Sequence, residues 1–166
     1  MIVAQARSPA FYRGYGVPDT LDGRLDMIVL HLVLLLRQLS KAQGAEPPIG
    51  QDLFDRFCRD IDGNFREMGV GDLAVPKEMQ RVAEVFYGRA KAYESALDDD
   101  GTDTLEAAVS RNVFGISAPP LGARRLAAYM REASRRLGAQ APGALGRAEL
   151  DFPDPEAMAA PPLQVG

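Results

Sequence analysis

Residues 26–37, Asp-Met-Ile-Val-Leu-His-Leu-Val-Leu-Leu-Leu-Arg, are apolar on every side of a helix rather than along one stripe, so a helix built from them must be enclosed. About ten uncharged residues lie between Asp26 and Arg37, where a membrane-spanning helix would need roughly 20. The stretch therefore predicts the central helix of a bundle. It should run from about Leu21 to Ser40, roughly 30 Å at 1.5 Å per residue. Asp19 or Thr20 can cap it, with Pro18 just before and Asp22 in the first turn, where the helix dipole favours negative charge.

The other patterns supply companions. Residues 1–18 are broken by glycine and proline and predict one or two turns, with Phe11 and Tyr15 on one side. Gly44, Pro47 and Pro48 stop the central helix. In 51–68, Phe54, Phe57, Cys58, Ile61, Phe65 and Met68 recur at steps of three and four and line one helical face. The opposite face pairs Asp52 with Arg56, Asp55 with Arg59 and Asp62 with Arg66, acid before base. Gly69 stands where a left-handed cap residue is wanted, and Gly71 and Asp72 continue the reversal.

Pro76 marks the first turn of the next helix, whose apolar positions run from Met79 through Val82, Phe86 and Tyr93 to Leu97. Gly88 inside that run predicts close approach of another backbone or a ligand. Asp98, Asp99 and Asp100 crowd the negative end of the dipole, which predicts fraying into a surface loop. A shorter helix over 104–113, capped by Thr102 or Asp103, precedes a last one over 121–137 that buries Leu126, Met130, Ala133 and Leu137. Beyond Gly138 the chain is rich in Ala, Pro and Gly. That composition predicts a disordered or extended tail, in which Leu150, Phe152, Met158 and Leu163 can make one local contact. The fold expected is all-α: one helical domain over 1–138, of about five to six helices around the central hydrophobic one, and a tail over 139–166.

Charge and chemistry narrow the function. A net charge of -4 argues against general affinity for nucleic acid, which rests on neutralising phosphates. One cysteine, Cys58, allows no internal disulfide, and one histidine beside it leaves too few ligands for a usual zinc site. The N-terminal residues form neither a secretory signal nor a long presequence, so the chain is expected to stay in the compartment where it is made. No P-loop, dinucleotide fingerprint, nucleophile elbow or His-Glu metal pair occurs. Asp60, Asp62, Glu67 and Asp72 gather carboxylates without a histidine or a phosphate cradle, which fits helix and turn polars. No enzyme activity and no cofactor are expected. His31 has two readings: a satisfied core histidine, or a haem ligand beside a closed pocket for haem or a quinone.

Four stretches carry a family likeness. They are Tyr12 to Leu32, Leu53 to Phe57, Asp62 to Met79, with its Arg-Glu-Met-Gly-Val-Gly-Asp block followed by Val-Pro-Lys, and Phe86 to Arg89. Over residues 11 to 130 the chain resembles the ubiquinol–cytochrome c chaperone family, with Leu25 where phenylalanine is expected and the tail outside the likeness. The resemblance implies an all-helical, non-enzymatic assembly factor for the cytochrome bc1 complex, respiratory complex III. Its client would be newly made cytochrome b, with a small assembly protein as a second partner. A bacterial member would be cytoplasmic, peripheral at the inner membrane, with no transmembrane helix and no direct nucleic-acid binding.

Polar residues without an obvious folding purpose cluster before the central helix (Asp19, Asp22, Arg24, Asp26) and around the reversal (Arg66, Glu67, Asp72, Lys77), with Tyr87 and Arg89 further on. Together with His31 and the reversal glycines Gly69 and Gly71 these are the candidate site. They form either a polar network that holds helix ends together or the rim of an apolar groove that receives a client segment in the helix-in-groove manner. A module that only homodimerises through its helical faces is a third possibility.

Overall fold

Thr20 starts the central helix. Its hydroxyl accepts a hydrogen bond from the Gly23 amide at 3.1 Å, satisfying one of the free donors of the first turn. The Pro18 carbonyl crosses this turn so closely that a Cβ on Gly23 would lie 2.0 Å from its oxygen, so only glycine fits. Asp19, the other capping candidate, turns outward to Arg24 at 2.8 Å.

The computed structural model describes residues 2–43, 49–67, 69–118, 120–141, 143–147 and 149–158. Its helices are α1 (Ile2–Ala6), α2 (Pro9–Arg13), α3 (Leu21–Gln43), α4 (Ile49–Glu67), α5 (Val75–Asp98), α6 (Thr102–Val109), α7 (Leu121–Ala139) and α8 (Pro155–Met158). A π-helical turn (Ser110–Phe114) continues α6, and a 3-10 turn (Leu145–Arg147) follows α7. Among the described residues there is no strand, so the expected all-α bundle is the fold observed. Met68, the Gly44–Pro48 stop and Leu163 lie outside the described residues.

α3 is the axis. α1, α4, α5, α7 and the π turn all pack on it. Met27, Val29, Leu30, Leu32, Val33 and Leu34 point to every side of the helix, and each is at most 2% exposed. α7 contributes the predicted Leu126, Met130, Ala133 and Leu137, joined by Tyr129. It comes so near the segment after α2 that a Cβ on Gly122 would sit 1.8 Å from the Tyr15 carbonyl oxygen. Gly88 makes no such approach: the space where its Cβ would go is open to 4 Å, because it lies on the exposed side of α5. The close backbone contacts fall at Gly23 and Gly122 instead.

Ion pairs fasten α5 to α3 at two points. Asp26 on α3 meets Arg89 on α5 at 2.7 Å, and further along Arg37 on α3 meets Asp98 on α5. Residue numbers rise along both helices from one pair to the other, so α3 and α5 run parallel. The acidic end expected to fray is therefore tied down, with Lys41 adding a second cation on Asp98. Asp99 holds the start of α6 by accepting from the Thr104 hydroxyl and the Gly101 amide, and Gly101 itself is the N-cap. On α4, one of the three expected pairs closes, Asp62 with Arg66 at 2.8 Å, while Gln51 takes the Asp55 carboxylate. Gly69 adopts φ +81°, as the reversal requires. The Val70 amide reaches back to the Phe65 carbonyl and the Gly69 amide to that of Arg66, which closes the helix end.

The tail is extended through residue 158 apart from its two short turns, and it lies on the core. Tyr15 donates to the Pro155 carbonyl at 2.9 Å, and the Phe152 ring meets the His31 ring edge-on at 5.2 Å. His31 is fully buried at the centre of a hydrogen-bond chain. The Met27 carbonyl can only accept, so His31 Nδ1 donates to it at 2.7 Å. Nε2 then accepts from the Tyr129 hydroxyl at 2.9 Å, whose oxygen in turn accepts from Gln5. The Gln5 amide also donates to the Pro153 carbonyl, so one chain links α3, α7, α1 and the tail. His31 is the satisfied core histidine, with both ring nitrogens used and none left for iron.

Burial pushes the His31 imidazole down to about 4. The unfolded chain, with a pKa near 6.5, takes up the proton first. His31 therefore contributes stability that is present above about pH 6.5 and lost as pH falls towards 4. The loss should be roughly 3 kcal/mol in urea unfolding and absent from a His31→Asn variant. Tyr129→Phe, which leaves His31 Nε2 without its donor and removes one of the two acceptors of the Gln5 amide, should cost about 1–3 kcal/mol at pH 7 in the same measurement.

Candidate functional site

α4 has the clearest amphipathic pattern in the chain, yet none of its described side chains is fully buried. Leu53, Phe54, Phe57, Cys58, Ile61 and Phe65 are all left half-buried. Phe54 stacks at 4.7 Å on Phe86 and at 5.8 Å on Tyr87, both on α5, and Phe57 lies 6.5 Å from Phe86. Tyr87 is 62% exposed. Phe86 and Tyr87 line a groove of about 580 Å³ between α3 and α5, with Val33, Leu36 and Ala90 completing its apolar lining and Lys91, Glu94 and Asp98 as its polar edge, while Phe54 and Phe57 pack on the lining rings from α4. Asp98 is also the partner of Arg37, so one end of the groove is fixed by that ion pair.

A second, polar cleft of about 370 Å³ opens at the start of α3, between α5 and the π turn. Asp26 and Arg89 lie in its wall with Asp22, Arg81 and Asn112. Arg89 also donates to the Asn112 carbonyl at 3.0 Å, and its buried Nε has no acceptor among the described residues. Burial pushes the Asp26 carboxyl up to about 6, with Arg89 pulling it down and Asp22 pushing the same way as burial. Burial likewise holds the Tyr93 hydroxyl far above its usual range.

The candidate residues thus divide among several places. Asp22, Asp26 and Arg89 share the polar cleft. Asp19 and Arg24 pair on the outside, beside α2. Arg66 bridges Asp62 and Asp72 across the reversal that Gly69 and Gly71 form, with Glu67 and Lys77 exposed nearby. Tyr87 borders the apolar groove, and His31 is in the core. The half-exposed face of α4 and the edge residues Lys91 and Glu94 are missing from the sequence-derived set. Periodicity assigns that face to a core, and only the packing shows it half uncovered. No group of three His, Cys, Asp or Glu side chains among the described residues could hold a metal ion. Chemically, the groove suits an apolar segment and the cleft a polar group beside a buried ion pair.

Residues 13–152 match the family model described as ubiquinol-cytochrome C chaperone. Among solved structures, the chain is similar to the crystal structure of the Cbp3 homolog from Brucella abortus, with 36% identity, 93% of this chain and 86% of that chain covered, and a TM-score of 0.80. Comparison with curated proteins gives no match. The family match extends past the last helix of the expected likeness and ends at Phe152, the tail residue that packs on His31.

Removing one member of a buried pair leaves the other charge uncompensated, so Asp26→Ala should cost about 3–5 kcal/mol in urea unfolding. Asp26→Asn should cost much less, since its amide oxygen still accepts from Arg89. Because the folded-state pKa of Asp26 is raised, its contribution is full below about pH 4 and lost as pH rises through 6, opposite in sign to that of His31. In Asp26→Asn the loss of stability between pH 6.5 and 4 should therefore be steeper than in the parent, read from unfolding midpoints along a pH series.

Proposed function

Because the chain belongs to the ubiquinol–cytochrome c chaperone family, we propose that it serves assembly of the cytochrome bc1 complex by holding unassembled cytochrome b, without chemistry of its own. The observation that carries this is the aromatic side of the α3–α5 groove, where Tyr87 stays exposed beside an apolar lining and the partly exposed Phe54 and Phe57 pack against the lining rings. A chain that gains nothing from a partner would cover such a face. Soluble monomers seldom leave contiguous apolar patches of more than a few hundred Å² open. A groove between two parallel helices accepts an apolar helix by its ridge, and Lys91, Glu94 and Asp98 set its ends in register.

No helix among the described residues is long and apolar enough to cross a membrane. The chaperone then meets its client from the bilayer surface, where a membrane segment that has not yet packed presents its side. A haem or quinone pocket around His31 is disfavoured by the hydrogen bonds on both ring nitrogens and by the rings of Phe11, Tyr129 and Phe152 around it.

A photoreactive amino acid placed at Tyr87 should crosslink to cytochrome b in cells, and one placed at the exposed Glu67 should not. Tyr87→Glu, a change at an exposed ring, should leave the helical circular dichroism intact and weaken client capture about thirtyfold, as loss of an aromatic anchor does. Assembled bc1 complex should fall accordingly while other respiratory complexes hold their level. Normal bc1 content with no crosslink from the groove would overturn the assignment.

A further inference from the structure

The net charge of -4 hides a local excess of the opposite sign. Beside α2, a cleft of about 440 Å³ is walled by Arg7, Arg13 and Arg24 with Pro9 and Tyr12, and Asp19 is its single acid. Elsewhere the arginines are largely spoken for. On α7, Arg135 and Arg136 share Glu132, Arg124 faces Glu106, Arg125 caps the Gly14 carbonyl and Arg131 that of Gly101. In the cleft the pairing is incomplete. Arg24 gives only its Nε to Asp19, and the exposed Arg7 and Arg13 side chains have no acidic or carbonyl partner among the described residues. Two guanidinium forks and part of a third therefore border one concave space with their donors unused.

From this we infer that the cleft beside α2 binds a phosphate group, and specifically the phosphodiester headgroup of an anionic lipid. Guanidinium matches phosphate in two-point geometry, and three cations against one acid leave an excess of two positive charges for an anion to neutralise. A neighbouring apolar side chain selects the lipid over a soluble phosphate. Val3 is 45% exposed and sits one helical turn before Arg7, whose amide bonds to the Val3 carbonyl, so the two share a face. An apolar residue beside cations on one face is the pattern of an interfacial contact, in which the side chain enters the headgroup layer and the cations hold the phosphates. The surface is distinct from the α3–α5 groove, and its occupancy does not depend on the identity of the client.

The test uses the full chain and phosphatidylcholine vesicles with or without about one third phosphatidylglycerol, read by flotation at low salt. The chain should float with the anionic vesicles and not with the neutral ones. The Arg7→Gln/Arg13→Gln variant loses no internal partner, so it should keep its fold and bind the anionic vesicles at least tenfold more weakly, as expected when two cations leave an anionic surface. The control Arg56→Gln/Arg59→Gln removes the same charge from the outer face of α4 and should bind as the parent does. Val3→Ser should weaken binding without changing its salt dependence. Equal losses in the test and control variants would overturn the site in favour of diffuse attraction. Retention of inorganic phosphate or RNA by the cleft without flotation would overturn the lipid assignment, and crosslinking from Tyr87 to cytochrome b would report separately on the groove.

Discussion

An apolar cylinder has to be covered on all sides, and that constraint organises the molecule. α3 buries residues facing every direction, so no single partner helix can satisfy it. α1, α7 and the tail close one side and α5 another. The polar devices are placed where the cylinder needs alignment rather than area. Asp26–Arg89 and Arg37–Asp98 clasp α3 to α5 with the charges reversed between the two pairs, so sliding one helix along the other would bring neither pair into a new match. Between its leucines the cylinder carries a single buried imidazole, and the hydrogen-bond chain from Met27 to Pro153 turns that polar liability into a link among four segments.

The coverage is uneven. On the α1–α7 side the rings of Phe11, Tyr15, Tyr129 and Phe152 interlock around His31, and the first three are inaccessible. On the α4 side every described large apolar side chain of the helix is partly exposed. Both faces are built from aromatics at helical spacing, so the difference lies in what sits above them. The tail supplies a second layer over α1, α2 and α7. No corresponding layer among the described residues lies over Phe54, Phe57 and Tyr87.

The features readable in the sequence are the local ones. The all-round apolar run of α3, the buried stripe of α7, the Thr20 cap and the left-handed Gly69 each depend on residues within a turn or two. What escaped depends on partners far away in the chain. Phe152 looks like a stray aromatic in an Ala/Pro/Gly tail until it meets His31, and Asp98 looks like one acid too many at a helix end until it meets Arg37. Asp26 and Arg89, singled out because nothing local explained them, turn out to be an inter-helix clasp and the wall of a cleft at once. Periodicity also says which face of α4 is apolar without saying how much of it is covered. The candidate residues therefore spread over several surfaces, with Tyr87 at the apolar groove and the half-covered face of α4 outside the set.

Under the proposed function, the exposure left on α4 would set how tightly a client could be held. A fully buried Leu or Phe contributes about 1.5–3 kcal/mol, and an α4 side chain that is already mostly covered has at most about a third of that left to gain. Leu53, Phe54, Phe57 and Phe65, with the more exposed Tyr87, then offer at most about 3–6 kcal/mol beyond what folding has taken. Association costs several kcal/mol in lost freedom before any net affinity appears. A client in the proposed groove would by itself be captured weakly and quickly released, and tighter holding would require a second point of attachment. For an assembly factor this is the useful regime, because a segment held by half-buried rings can leave once its permanent helical neighbours offer full burial.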